Sequence, residues 1–322
     1  MIEEAEWDRA VAVLRSAGEV VVGCHVDPDG DALGSLLGLA GALRRGGTRV
    51  WATWGAEDPK APPIYGFLEG LETVVPPAEV PERPDVFVAV DCGDPSRLGT
   101  LAGHFAAAAT TVNLDHHRSN PGFGTVNLVD PGAASSAELV YQLVRRMGAT
   151  PDPAEATALY TGIVTDTGRF QYSSTSPTTL RVAADLREIG VDHERVATEI
   201  FESGSLAYLH VVGVVLSRAR VEDGLVWSWL DTADLDAAGL SIDEAEGLID
   251  AIRPVKESRF ALLLKQRAEG GGYKGSLRSR GEVDVAQIAQ ALGGGGHRRA
   301  AGFTFDGAPD EAARAVLKLA DG

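Results

Sequence analysis

The chain has 322 residues, 44% hydrophobic and 23% charged, which is enough for two domains with their own cores. A net charge of -17 excludes a uniformly basic surface that would hold long duplex nucleic acid by counterion release. Two cysteines, Cys24 and Cys92, cannot staple a secreted domain and lack the CxxC spacing of a zinc or redox pair. No apolar run reaches the roughly 20 residues of a membrane span, and the amino terminus is acidic where a signal peptide is basic, so a cytoplasmic protein is expected.

Apolar, β-branched Glu19–Cys24 predicts a buried strand. Leu33, Leu36, Leu37, Ala40 and Leu43 then follow helical spacing up to Gly46-Gly47. Further strands are expected at 48–54, Val86–Val90 and 111–114. Apolar strands interleaved with helices imply an α/β fold with a parallel sheet covered on both faces. Ser135 with Glu138 three residues on is a capping-box pattern for a helix ending at Gly148, and Ser176-Pro177 opens another that stops at Gly190. From 191 to about 221 the pattern stays helical with no strand and is read as a connector. Strands at Leu225–Leu230, 259–266, 271–279 and 303–305, a short helix capped by Asp284 and a last helix make a second, smaller α+β domain of roughly 100 residues.

Directly after the first strand, His25, Asp27, Asp29 and Asp31 are spaced along a Pro/Gly turn. Oxygen ligands with one imidazole at a strand's carboxyl end suit Mn²⁺ or Mg²⁺ better than thiolate-bound zinc. A calcium loop would need Glu at position 12 from Asp27, where Gly38 stands. A solvated acidic turn is the plainer alternative. Asp91 follows Val86–Val90, and Asp115-His116-His117 follows the next apolar run, 111–114. Asp166 sits among Gly and Thr in a helical pattern that does not favour it. Each alone reads equally as a cap, a turn or a core histidine; four such clusters at one sheet edge point to a metal centre. Cys24 and Cys92 are expected as small buried residues, and His104, His193 and His210 lie in helical patterns without partners. Phe170 and Tyr172 could meet one base.

These motifs resemble the DHH phosphoesterases over nearly the whole chain: HVDPDGDALGS (25–35), VDCGD with Asp91 in the key place, LDHHRSN (114–120), SSAELVY (135–141) and LYTGIVTDTGRFQYSST (159–175). YKGSLRS (273–279) and GGGGHRRAAG (293–302) resemble the DHHA1 module. Within the family the similarity is to the short two-domain branch that degrades oligoribonucleotides of 2–5 residues (nanoRNA) and dephosphorylates 3'-phosphoadenosine 5'-phosphate (pAp). The resemblance implies a DHH catalytic domain at 1–190, the helical connector at 191–221 and a DHHA1 substrate-binding domain at 222–322, with substrate between the domains. It implies two Mn²⁺ ions, with Mg²⁺ as the alternative. His25, Asp29 and Asp91 would bind the first; Asp31, Asp91, His116 and Asp166 the second. Asp27 holds a variable place and is not taken as a ligand. His117 would contact phosphoryl oxygens or help protonate the leaving group, with Asp91 and His117 as the catalytic pair.

Between residues 253 and 300 ten Lys or Arg stand against four Asp or Glu, a basic segment in an acidic chain. By the same resemblance it holds the substrate's nucleotide and phosphate, through Gly294, Gly295, Gly296 and His297, with a helix-like segment after the turn offering N–H groups. Arg278, next to Ser279, is the expected phosphate clamp, with Arg298 and Lys265 as further candidates. The expected partners are short single-stranded RNA or DNA and pAp, with no membrane. A homodimer through helices in 135–222 is consistent with the branch. The rivals are a cyclic di-AMP or pApA phosphodiesterase, a single-strand exonuclease of the same family, an inorganic pyrophosphatase, and a non-catalytic nucleotide binder.

Overall fold

Unbroken β-branched runs become the centre of a parallel sheet. In the computed structural model, which describes residues 1–245, 247–267, 271–281 and 283–320 without the side chains of Asp243 and His297, the chain divides into two units, Met1–Ser203 and Gly204–Gly322. The first contains α1 (Glu4–Ser16), β1 (Glu19–Cys24), α2 (Gly30–Arg45), β2 (Arg49–Trp54), β3 (Val86–Val90), α3 (Ala102–Ala107), β4 (Thr110–Asp115), β5 (Val126–Val129), α4 (Ser136–Arg146), α5 (Pro153–Asp166), α6 (Pro177–Ile189) and α7 (His193–Phe201). All five strands are parallel, in the order β2-β1-β3-β4-β5. The sheet is therefore extended to one side of β1 by β2 and to the other by β3, and the crevice at such a switch point is where open α/β sheets bind ligands.

Alternation divides the core. Val20, Val22, Val88, Val90, Val112 and Leu114 pack against α2, α4 and α5, while Val21, Phe87 and Ala89 meet Leu98, Leu101 and Phe105 on the other face. Burying each large apolar side chain contributes about 1.5–3 kcal/mol. α2 lies close against α5: a Cβ on Gly34 would stand 2.4 Å from the carbonyl oxygen of Ala158. Ser135 caps α4 through the Glu138 N–H, but the Glu138 carboxylate reaches Ala134 N instead of closing the box on Ser135. Ser176 and Thr179 do close theirs on α6. The four-residue β5 was not expected; it is too short to show a period.

The second unit contains α8 (Leu206–Arg218), β6 (Arg220–Glu222), β7 (Leu225–Leu230), α9 (Thr232–Ala238), α10 (Ile249–Ile252), β8 (Phe260–Gln266), β9 (Tyr273–Ser279), α11 (Val285–Ala291), β10 (Gly295–His297), β11 (Ala300–Phe305) and α12 (Pro309–Ala320). Its sheet runs β10-β11-β9-β8-β7-β6, with β7 and β8 parallel and the other pairs antiparallel. Leu225, Trp227, Leu262 and Leu277 pack with Ile288 and Val316 of α11 and α12. Val226, Ala261 and Leu263 pack with Val211 and Val215 of α8 and Ile249 of α10.

Three expectations are corrected. The stretch 191–221 is not free of strand, since β6 begins at Arg220, and the division between units falls inside it. Val196 and Ile200 of α7 belong to the first core, whereas Val211 and Val215 of α8 belong to the second. The segment after the glycine run is the hairpin β10–β11, not a helix, so no helix N-terminus stands there for an anion. His104 also has a partner, with Nδ1 3.0 Å from Pro81 O. Among the described residues no single helix is long and apolar enough to cross a membrane.

Candidate active site

Because β1, β3 and β4 are parallel neighbours, the residues at their carboxyl ends meet at one edge. His25 follows β1, Asp91 follows β3, and β4 ends at Asp115 with His116 and His117 next. Asp29 caps α2, its Oδ1 accepting from the N–H groups of Asp31 and Ala32, while Asp31 lies in that helix's first turn. Asp166 is the last residue of α5, where the helix dipole disfavours an acid. A carboxylate kept there, pointing at other acids, is a sign of function over stability.

Three sets of donor atoms converge within metal-ligating distance of one another: His25, Asp29 and Asp91; Asp31, His116 and Asp166; and Asp91, His116 and His117. His25 Nε2 is 3.5 Å from Asp91 Oδ2 and 3.9 Å from Asp29 Oδ1. His116 Nε2 is 3.4 Å from Asp166 Oδ2 and 3.7 Å from both Asp31 Oδ2 and Asp91 Oδ1. The two carboxylate oxygens of Asp91 thus face different histidines. Asp27 is in none of these sets and adopts φ 54° in the turn.

Asp91 also has φ 51°, a left-handed conformation that costs a non-glycine residue about 1–3 kcal/mol. Strict alternation would send its side chain to the Phe87 and Ala89 face. The left-handed turn instead sets the carboxylate beside Ser136 at the start of α4, with Ser136 Oγ donating to Asp91 Oδ1 at 2.9 Å, and sends Cys92 to the Phe87 side. Ser136 N and Ala137 N donate to the two oxygens of Asp31 at 2.6 and 2.9 Å. The positive end of α4 therefore holds one buried acid and its first hydroxyl another.

The electrostatics are those of anions forced together. Burial and the charges of Asp91, Asp166 and Asp29 push Asp31 well above the usual carboxylate range. Burial, reinforced by Asp29 and Asp91 against the opposing pull of His116, pushes Asp166 up to about 7. Burial also works against Asp91, but the His25 hydrogen bond and the three imidazoles hold it well below its ordinary value. Buried carboxylates sharing a few imidazoles fit one or more divalent cations, which would neutralise them. The donor set of hard oxygens and imidazoles, with both cysteines buried and outside it, fits Mn²⁺ or Mg²⁺.

Some residues that orient the site were given no role of their own from the sequence. Asp115, fully buried, sits 2.5 Å from His117 Nδ1 through Oδ1 and accepts from Asn120 Nδ2 through Oδ2 at 2.6 Å. Burial alone would lower the His117 pKa; the Asp115 hydrogen bond with the Asp91, Asp115 and Asp166 charges raises it to about 9. His25 Nδ1 is 2.7 Å from Val26 O, an acceptor only, so Nδ1 carries a hydrogen and Nε2 is the ring atom that faces the carboxylates. Arg97 Nη2, 3.0 Å from that Nδ1, is then a close neighbour and not a donor to it. The signals were present in LDHHRSN and SSAELVY, but nothing local distinguishes a supporting Asp, Asn or Ser from a cap.

In the second unit, Lys265 and Arg278 line one cavity of about 120 Å³ with Ala245, Gly247, Leu248, Ile249, Leu263 and Ser276. Ser279 is not among the lining residues; it is buried on the alternate face of β9 and accepts from Gly281 N. Register runs Arg278–Ala300–His297 across three strands. Gly294 and Gly296 are required by packing, since a Cβ there would stand 2.1 Å from Gly302 O and 2.5 Å from Ala301 Cα. Arg298 is exposed in the turn, and the His297 side chain lies outside the described residues. Phe170 packs against the first core, and the Tyr172 ring lies against Gly168.

Residues 19–163 match the DHH family N-terminal domain, and residues 236–322 match the DHHA1 domain. The chain is 37% identical, over 98% of its length and 94% of the relative's, to the bifunctional oligoribonuclease and PAP phosphatase NrnA of Thermus thermophilus. The chain belongs to the DHH family. A Bacillus subtilis DHH relative of the same name is 26% identical over 93% of each chain. The crystal structure of an exopolyphosphatase-related protein from Bacteroides fragilis superposes with a TM-score of 0.92 at 25% identity, covering 100% of this chain and 97% of that one. As a DHH phosphoesterase with a DHHA1 domain, the protein is a hydrolase, and its His/Asp clusters can hold metal.

Proposed function

We propose that this DHH protein is a manganese-dependent phosphoesterase that hydrolyses oligoribonucleotides of 2–5 residues to mononucleotides and removes the 3'-phosphate of pAp. The observation that carries the reading is Asp91, whose two oxygens face the His25 set and the His116 set. His25, Asp29 and Asp91 would hold one ion, and Asp31, Asp91, His116 and Asp166 a second, with Asp91 shared. Bound there, the ions supply Lewis-acid charge to the attacked phosphoryl group and ease deprotonation of the attacking water.

The chain's own residues do the rest. The N-terminus of α4 and Ser136 keep Asp31 and Asp91 in place. Asp115 engages His117 Nδ1, fixing the ring so that Nε2 is the atom we assign to the phosphoryl or leaving-group oxygen. His117 is assigned as the group that gives a departing ribose oxygen the proton it needs. Lys265 and Arg278 are assigned to a substrate phosphate, Arg278 because a guanidinium can bond phosphate bidentately. Substrates of this class are supported by the names of the relatives from Thermus thermophilus and Bacillus subtilis.

The test is a product time course with Mn²⁺ on a labelled RNA dinucleotide, pAp, cyclic di-AMP and a 24-nucleotide RNA, beside Asp91→Ala. Turnover of the dinucleotide and pAp, lost in the variant, is expected. Preference for cyclic di-AMP or the long strand would move the protein to a phosphodiesterase or exonuclease reading, and no turnover of any substrate would refute the catalytic one.

A further inference from the structure

Asn120 lies outside every donor set, yet its polar atoms join the two strand ends that carry the chemistry. Its Nδ2 donates to Asp115 Oδ2 at 2.6 Å and to Cys92 O at 3.2 Å, and its Oδ1 accepts from Gly122 N at 2.8 Å. Asp115 Oδ1 in turn meets His117 Nδ1. The Cys92 carbonyl immediately follows the left-handed Asp91, and it takes a second amide, Asn113 Nδ2, also at 3.2 Å. Asn113 is fully buried with Oδ1 lacking a partner among the described residues, so the bond through Nδ2 is what its amide contributes. Two asparagines thus hold the carbonyl after the strained turn, and Asn120 alone also holds the carboxylate behind His117.

We infer that Asn120 is a positioning residue that sets the His117 ring, through Asp115, as the proton donor to the leaving group, while it steadies the Asp91 turn through the Cys92 carbonyl. The inference rests on the phosphoesterase reading above. Without the Asn120 N–H, one oxygen of Asp115 loses its fixed donor, the carboxylate can rotate, and the ring it orients drifts from the leaving oxygen. A one-sided brace of the loop would slow every substrate alike. A lost orientation of His117 slows only those whose leaving oxygen needs a proton.

The experiment compares wild type, Asn120→Ala and Asn113→Ala, each loaded with Mn²⁺, on a uridine dinucleotide and on the p-nitrophenyl ester of uridine 5'-monophosphate, whose leaving group departs unprotonated. Asn120→Ala is expected to lower kcat on the dinucleotide about 10- to 100-fold with little change in KM, and to lower it much less on the p-nitrophenyl ester. Asn113→Ala is expected to lower both alike, because the hydrogen bond its amide makes is to the shared carbonyl and not to Asp115. The ratio of rates on the two substrates within one preparation is independent of the folded fraction, so partial misfolding does not blur the outcome. Equal loss on both substrates in Asn120→Ala overturns the inference while leaving the phosphoesterase reading intact. Failure of the wild type on both substrates overturns the reading itself.

Discussion

Gly162 of α5 lies directly against Asp31 of α2: a Cβ on Gly162 would stand 2.9 Å from Asp31 Oδ1 and 2.7 Å from the Ala137 Cβ. The absence of a side chain there lets α2, α4 and α5 converge on one carboxylate. Gly162→Ala is expected to destabilise the first unit by about 1–3 kcal/mol through overpacking and to weaken Mn²⁺ binding. Urea denaturation and calorimetric titration read the two effects; an unchanged metal affinity would show that Asp31 can move without consequence.

Ser136 donates to Asp91 Oδ1 through its hydroxyl and to Asp31 through its N–H. Ser136→Ala removes only the first bond. We expect metal affinity or turnover to fall roughly tenfold, with the α4 cap at Ser135 and the overall stability nearly kept. A larger loss of stability than of metal binding would contradict the assignment.

Burial and neighbouring carboxylates push Asp31 up and Asp166 up to about 7, and the Asp115 hydrogen bond with the nearby carboxylates outweighs burial to raise His117 to about 9, so through Asp166 and His117 the metal-free site carries protons near neutral pH. A divalent cation favours the ionised carboxylates, and binding must release protons. Titrating Mn²⁺ at pH 6.5 in buffers of different ionisation enthalpy is expected to show net release. That release should shrink in Asp166→Asn. Net uptake would overturn the electrostatic picture.

Burial would raise the Asp234 carboxyl, but the bidentate Arg218 guanidinium and the Asp231 N–H hold it below its ordinary value. A depressed folded pKa means the contribution is present above the unfolded pKa, near 4, and lost as pH falls through the folded one. Asp234→Asn should therefore cost about 1 kcal/mol at pH 7, with screening discounted, and less at pH 3. Hydrogen exchange of the β7 and β8 amides at the two pH values checks this, and a pH-independent cost would refute it.

The parallel sheet, the smaller α+β unit and the identity of the clustering acids and histidines were legible along the chain, because strand period, helix caps and ligand-type residues after apolar runs are local signals. HVDPDGDALGS and LDHH place ligand-type residues after apolar runs, but each alone reads equally as a turn or a cap, and only the four clusters together pointed to a metal centre. The family resemblance, borne out by the matches to the DHH and DHHA1 domains, came from the order of such motifs.

What only the tertiary structure decided involves contacts between residues far apart in sequence. The glycine run became a hairpin because β11 pairs with β9, a long-range contact that overrides any local turn preference. The left-handed turn at Asp91, which exchanges the faces of residues 91 and 92, breaks the alternation from which their directions would be read. Ser136 reaching Asp91, Ala137 reaching Asp31 and Asn120 reaching Cys92 depend on which strand ends and helix ends are neighbours in space. Nearest-neighbour chemistry wrote the donor atoms into the sequence, and the packing of α2, α4 and α5 on three parallel strands determined where they point.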